Sequence, residues 1–327
     1  MSAHLPIDPE AQVALDRMPE QFRPRALFDF DDMPSTRERL AQMLEAAVPR
    51  EPNPAVATRV ETIPTHDGAT IELRIHQPVG DEQQTGRPAI YWVHGGGMVI
   101  GAAADDDENL SRYVEETGCV AVAVDYRLAP EYPYPTPQED NYSGLVWVAE
   151  HADELGIDAS RIIVGGASAG GGLAASLAIM ARDRSGPAIA LQLLFCPMLD
   201  HRNNTPSSHE VTDVGIWDQV MNGRGWAALL GDLEDDAITG RASPAREPNL
   251  AGLPPAFIDV GTVEVFRDEA IEYAQRLLTS GVQTELHVWP GGFHGYDSFA
   301  ADASISHGTQ AARLAAVQRV FQQLDQH

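Results

Sequence analysis

The chain contains no lysine: all 22 of its Lys-or-Arg positions are arginine, set against 48 acidic side chains, for a net charge of −26 over 327 residues. A surface of that sign repels phosphate backbones and anionic headgroups, which argues against nucleic acid and acidic membranes as partners. There is also no apolar run long enough to span a bilayer and no basic start followed by an apolar stretch, so the expectation is a cytoplasmic protein with no membrane partner. Only two cysteines occur, Cys119 and Cys196, both at strand or strand-end positions by pattern, where reduced buried thiols are the default. The run Asp105-Asp106-Asp107-Glu108 has the composition of a metal cluster, but a solvated acidic helix start accounts for it better, and neither metal nor cofactor is expected. No internal repeat is present, and strand-like and helix-like patterns alternate from about residue 60 to the end, so one α/β domain is the simpler account of this length.

What the chain does have is glycine placed where chemistry needs it. Arg161-Ile162-Ile163-Val164-Gly165 is apolar and β-branched and predicts a buried strand, while Leu173 to Met180 predicts a helix. Between them Gly166-Ala167-Ser168-Ala169-Gly170 satisfies G-x-S-x-G at a strand-to-helix turn, the context in which a serine hydroxyl is exposed as a nucleophile. Upstream, the strand-like Ala89 to Val93 runs into His94-Gly95-Gly96-Gly97, at the end of a strand where open α/β sheets place their ligands. The N–H groups of Gly96 and Gly97, with that of Ala169 after the serine, are the candidate oxyanion-hole donors, and His94 is the candidate organiser of the loop.

A serine nucleophile needs a base, and the base needs an orienting acid. His294 lies in a glycine-flanked stretch, Trp289 to Tyr296, just past the strand-like Thr284 to Val288, and is the candidate base; His287, inside that strand, reads as structural. Three acids, Glu264, Asp268 and Asp259, compete for the third role in and after the strand-like Pro255 to Gly261. Glu264 sits immediately past the strand and is preferred. Asp268 and Glu269 open a helix running through Leu278 and are already explained as acids in a first turn, and Asp259 lies within the strand itself. The order serine, acid, histidine is that of α/β-hydrolases.

With these motifs the chain resembles the hormone-sensitive lipase family of α/β-hydrolases, and in particular its bacterial carboxylesterases. Asp125 to Glu131 with Tyr134-Pro135 is similar to the family segment after the fourth core strand, and Cys196-Pro197-Met198-Leu199-Asp200 to the one after the sixth. The resemblance implies an α/β-hydrolase fold, a mostly parallel central sheet flanked by helices and topped by a helical cap. It also implies cis peptides near Pro130 and Pro135. Two departures stand out: Ala167 replaces the aspartate that many members carry before the serine, and Glu264-Val265 replaces the usual Asp-Pro, keeping the charge but adding a methylene.

On this reading residues 1–50 and 203–246 are the cap segments, with Trp217, Val220, Met221, Trp226 and Leu229 as an apolar face, and residues 51–202 and 247–327 are the core. The expected reaction is hydrolysis of short to medium acyl esters, a small-molecule substrate class, through an acyl-enzyme on Ser168, Glu264 and His294, with Met98 leaving the pocket adaptable. An amidase or formamidase on the same three residues, and a non-catalytic ligand-binding relative, are the alternatives. These patterns are compatible with a homo-oligomer.

Overall fold

In the computed structural model, residues 5–19, 23, 27–46, 52–80, 84–212, 214 and 216–324 are described. Eight strands form one sheet: β1 (Val56–Pro64), β2 (Thr70–Pro78), β3 (Arg87–Val93), β4 (Val120–Asp125), β5 (Ile157–Ala167), β6 (Leu191–Phe195), β7 (Ala256–Val263) and β8 (Thr284–Phe293). They lie in the order β1-β2-β4-β3-β5-β6-β7-β8. The β1/β2 and β2/β4 pairs are antiparallel, and every pair from β4/β3 to β7/β8 is parallel. The composition of the strands follows from this. β4, Val-Ala-Val-Ala-Val-Asp, is buried on both faces as parallel strands are, whereas β1 is largely exposed and carries Arg59 and Glu61 on the sheet edge.

The two-residue period sorts side chains into two layers. Ile90 and Trp92 of β3 pack with Leu110, Tyr113, Val317 and Phe321 from the helices α3 (Asp107–Thr117) and α8 (Ser304–Leu324) on one face. Tyr91 and Val93 pack on the other with Leu145, Leu173 and Tyr273, from α4 (Thr136–Glu150), α5 (Ala169–Arg184) and α7 (Arg267–Thr279). No helix of the described residues is long and apolar enough to cross a membrane. The expected strands all appear. β8, however, runs five residues past Val288, because Trp289 and Phe293 pair with Gly261 and Val263 of its neighbour β7.

The N-terminal helices α1 (Pro9–Arg17) and α2 (Met33–Ala46) and the helix α6 (Gln219–Leu230) fall within the segments expected as a cap. Part of 1–50, and residues 213 and 215, fall outside the described residues. Arg37 on α2 ties the N-terminal segment to the core by donating to the carbonyls of Val99 (2.8 Å) and Ala129 (2.7 Å) while gripping both oxygens of Glu131. Phe28 and Phe30 meet the Trp217 ring edge-on, at 5.9 and 6.5 Å between ring centroids. Of the five residues expected on one apolar face, Trp217, Met221, Trp226 and Leu229 are buried, but Val220 is 58% exposed. The helical period puts Val220 on the side of α6 opposite Asn222, Gly225 and Leu229, so its apolar character has no packing role there. The Ala129–Pro130 and Tyr134–Pro135 peptides are both cis, as the resemblance implied.

Candidate active site

The connection β3–β4 runs to one side of the sheet and β4–β5 crosses back to the other, so the carboxyl ends of β3 and β5 flank a switch point. His94-Gly95-Gly96-Gly97 leaves β3 there, and Ser168 stands between the end of β5 and the start of α5. Ser168 has φ 58° and ψ −120°, a sparsely populated conformation for a residue with a Cβ. Backbone bonds hold it: its N–H donates to the Phe195 carbonyl (2.8 Å), and its own carbonyl accepts from Met198 (2.9 Å) and Gly172 (3.1 Å). Gly170 is required by contact, since a Cβ there would lie 2.0 Å from the Val93 carbonyl oxygen. The result is a serine side chain 7% exposed at the floor of the site.

The glycine loop folds over this turn. A Cβ on Gly95 would come within 3.6 Å of the Ser168 Cβ, and Gly96 takes φ +106° while its carbonyl accepts from the amides of Val99 and Ile100 (both 3.0 Å). Gly97 lies against the Trp217 indole, which leaves no room for a larger residue. Ala169 is the first residue of α5, where an N–H has no partner within its helix and carries the positive end of the helix dipole. His94 is buried, donates from Nδ1 to the Gly95 carbonyl (2.8 Å) and stacks on Tyr126 at 4.2 Å. Burial lowers its pKa to about 4, so it is a neutral brace for the loop, as expected from sequence. His287 bonds Glu285 (2.8 Å) and stacks on Trp289, a structural position.

Glu264 and His294 are the first residues beyond β7 and β8, and the pairing Val263↔Phe293 sets them side by side. Nδ1 of His294 and Oε2 of Glu264 are 2.8 Å apart, and Oε1 of Glu264 accepts from the Phe266 amide (3.3 Å). The added methylene of glutamate is thus accommodated. Both side chains are nearly enclosed, with Phe266 edge-on to the imidazole at 5.4 Å and Trp217 at 6.4 Å. Burial alone would lower the imidazole pKa; the Glu264 carboxylate, together with the Cys196 sulfur, outweighs it and holds His294 well above the ordinary histidine value. The rival acids are committed elsewhere. Asp259 forms a buried ion pair with Arg313 (2.6 Å), and Asp268 accepts from the Ser207 amide (2.7 Å) and the Arg267 guanidinium (2.8 Å).

Four residues behave differently from their sequence reading. Glu269 is not merely an acid in a first helical turn: it is 3% exposed, and its Oε1 accepts from the amides of Leu199 (2.6 Å) and Asp200 (3.2 Å), so α7 anchors the segment after β6. Replacing it with alanine orphans two buried N–H groups and is expected to cost about 2 to 4 kcal/mol in urea unfolding, with Glu269→Gln recovering most of that. The acidic run is only partly solvated, since Asp107 makes a bidentate pair with Arg74 (2.6 and 2.5 Å) and burial pushes the Asp106 carboxyl up to about 7. Cys119 is fully buried, but Cys196 is half-buried and belongs to the site: its thiol lies beside His294, and it has φ 35° at the end of β6. Its position one residue past a core strand was the only sequence signal for that.

Comparison with known proteins points to the same fold. Residues 90–298 match a family model described as the alpha/beta hydrolase fold. Esterase LipI of Mycobacterium tuberculosis is 36% identical over 294 residues, covering 90% of this chain and 89% of that protein. Carboxylesterase NlhH of the same organism is 34% identical over 318 residues, 96% of each. The solved structure of a bacterial heroin esterase superposes with a TM-score of 0.89 at 37% identity, covering 96% of this chain and 98% of that one. The chain belongs to the hormone-sensitive lipase family of α/β-hydrolases.

Proposed function

We propose that the protein is a serine carboxylesterase acting on small-molecule esters of short to medium acyl chain. The observation that carries this is the 2.8 Å contact between His294 and Glu264 at the ends of adjacent strands, in a chain whose Ser168 occupies a positive-φ strand-to-helix turn. Relatives named esterase and carboxylesterase across nine-tenths or more of this chain support the same reaction.

In the proposed cycle Ser168 Oγ attacks the ester carbonyl as His294 takes its proton. The resulting oxyanion is held by the amides of Gly96, Gly97 and Ala169, each such donor contributing about 3 kcal/mol. His294 then protonates the departing alcohol, and water, deprotonated by the same imidazole, releases the acid from the acyl-enzyme. Glu264 fixes the tautomer and stabilises the imidazolium. Residues 1–50 and 203–246 act as the cap that closes the substrate pocket. Phe28, Phe30 and Trp217, the last one ring's width from His294, form its aromatic lining. An enclosed lining of this kind suits a butyryl better than a palmitoyl group.

A fluorophosphonate probe is expected to label the protein once, at Ser168, located by mass spectrometry of the modified peptide; no labelling, or labelling elsewhere, rejects the nucleophile. On a graded p-nitrophenyl ester series the rate is expected to peak at short to medium chains and to exceed that on matched p-nitroanilides. A maximum at palmitoyl would reject the enclosed pocket, and faster anilide cleavage would make the protein an amidase.

A further inference from the structure

Cys196 has no task in the acyl-transfer scheme, yet its sulfur completes a set of donors. The Cys196 Sγ, one ring nitrogen of His294 and one carboxylate oxygen of Glu264 all lie within 4.8 Å of one another. The three residues are the first beyond β6, β7 and β8, three neighbouring parallel strands, so the sheet fixes where each backbone stands. The Cys196 amide is further tied to the Asp259 carbonyl (2.7 Å). A tetrahedral ion with sulfur, nitrogen and oxygen ligands holds those atoms about 3.3 to 3.6 Å apart, so closing the set needs side-chain shifts of roughly 1 Å. A thiol beside an imidazole selects soft and borderline cations over Mg2+ and Ca2+.

We propose that Cys196, Glu264 and His294 form a binding site for a soft divalent cation, Zn2+ or Cd2+, which arrests the enzyme by occupying its base. On binding, the thiol proton and any proton on the ring nitrogen that ligates pass to water, and the ion is held by thiolate, imidazole and carboxylate, with its fourth position left to water. An imidazole nitrogen engaged by the metal, and a Glu264 carboxylate withdrawn from its partner, no longer serve proton transfer. The inhibition rests on the reading of His294 as the base; the binding does not.

Cd2+ titrated into the purified full chain is expected to raise an ultraviolet thiolate-to-metal charge-transfer band that saturates near one equivalent. The band is expected to vanish in Cys196→Ser, which retains Cys119 as an internal control, and to need about tenfold more Cd2+ or beyond in His294→Gln. In parallel, Zn2+ is expected to inhibit ester hydrolysis reversibly with EDTA, and Cys196→Ser, scored against its own metal-free rate, to require about tenfold more Zn2+ or beyond. An unchanged band in Cys196→Ser, or a band indifferent to His294→Gln, overturns the site, as does inhibition of parent and Cys196→Ser by the same concentration of Zn2+. Saturable Cd2+ binding that depends on both residues, together with a turnover rate that Zn2+ leaves untouched, upholds the site and overturns the assignment of His294 as base.

Discussion

Ser168→Ala is expected to lower kcat on p-nitrophenyl butyrate by roughly five to six orders of magnitude, leaving only the slow hydrolysis that an oxyanion hole and binding supply by themselves. The change removes one oxygen and nothing that holds the turn: the bonds from the Ser168 amide to Phe195 and from Met198 to the Ser168 carbonyl are made by backbone. Thermal unfolding of the variant is therefore expected within about 1 kcal/mol of the parent, which separates lost chemistry from lost fold. Turnover within tenfold of the parent would end the acyl-enzyme proposal outright.

The second large effect concerns the acid. Glu264→Gln keeps the shape and an oxygen for the imidazole but removes the charge, and kcat is expected to fall about a thousandfold to ten-thousandfold. Asp268→Asn, whose carboxylate serves the Ser207 amide and Arg267, is expected to cost less than about threefold. The reverse ranking would move the role to Asp268. A pH profile adds a signature that mere disruption does not produce. The imidazole must be neutral to take the serine proton, so activity is lost as pH falls through the His294 pKa. Because Glu264 raises that pKa, the acidic limb of kcat/KM in the parent is expected above the ordinary histidine value of about 6.5, and in Glu264→Gln at lower pH than in the parent. A limb that stays in place would show that the carboxylate charge does not act on the imidazole.

Most of the fold was legible because its signals are local. Apolar β-branched runs at β3, β5 and β7 mark strands buried on both faces, and a small-residue turn between a strand and a helix marks where Ser168 is presented. The end of β8 was less legible, since Trp289 to Phe293 has loop-like composition and is drawn into the sheet only by its pairing with β7.

The sequence by itself therefore determined the α/β architecture, the serine turn, the glycine loop and the short roll of candidate bases and acids, all of which follow from periodicity and from what glycine permits over a few residues. Only the tertiary structure decided which carboxylate meets His294. That choice depends on the β7/β8 register and on Arg313, 54 positions from Asp259 along the chain, claiming the rival carboxylate. It likewise decided that Glu269 is an internal anchor, that Val220 faces out, and that a cysteine at the end of β6 stands beside the imidazole. These are contacts between segments far apart in the chain, and residue patterns carry no record of distance across the sheet.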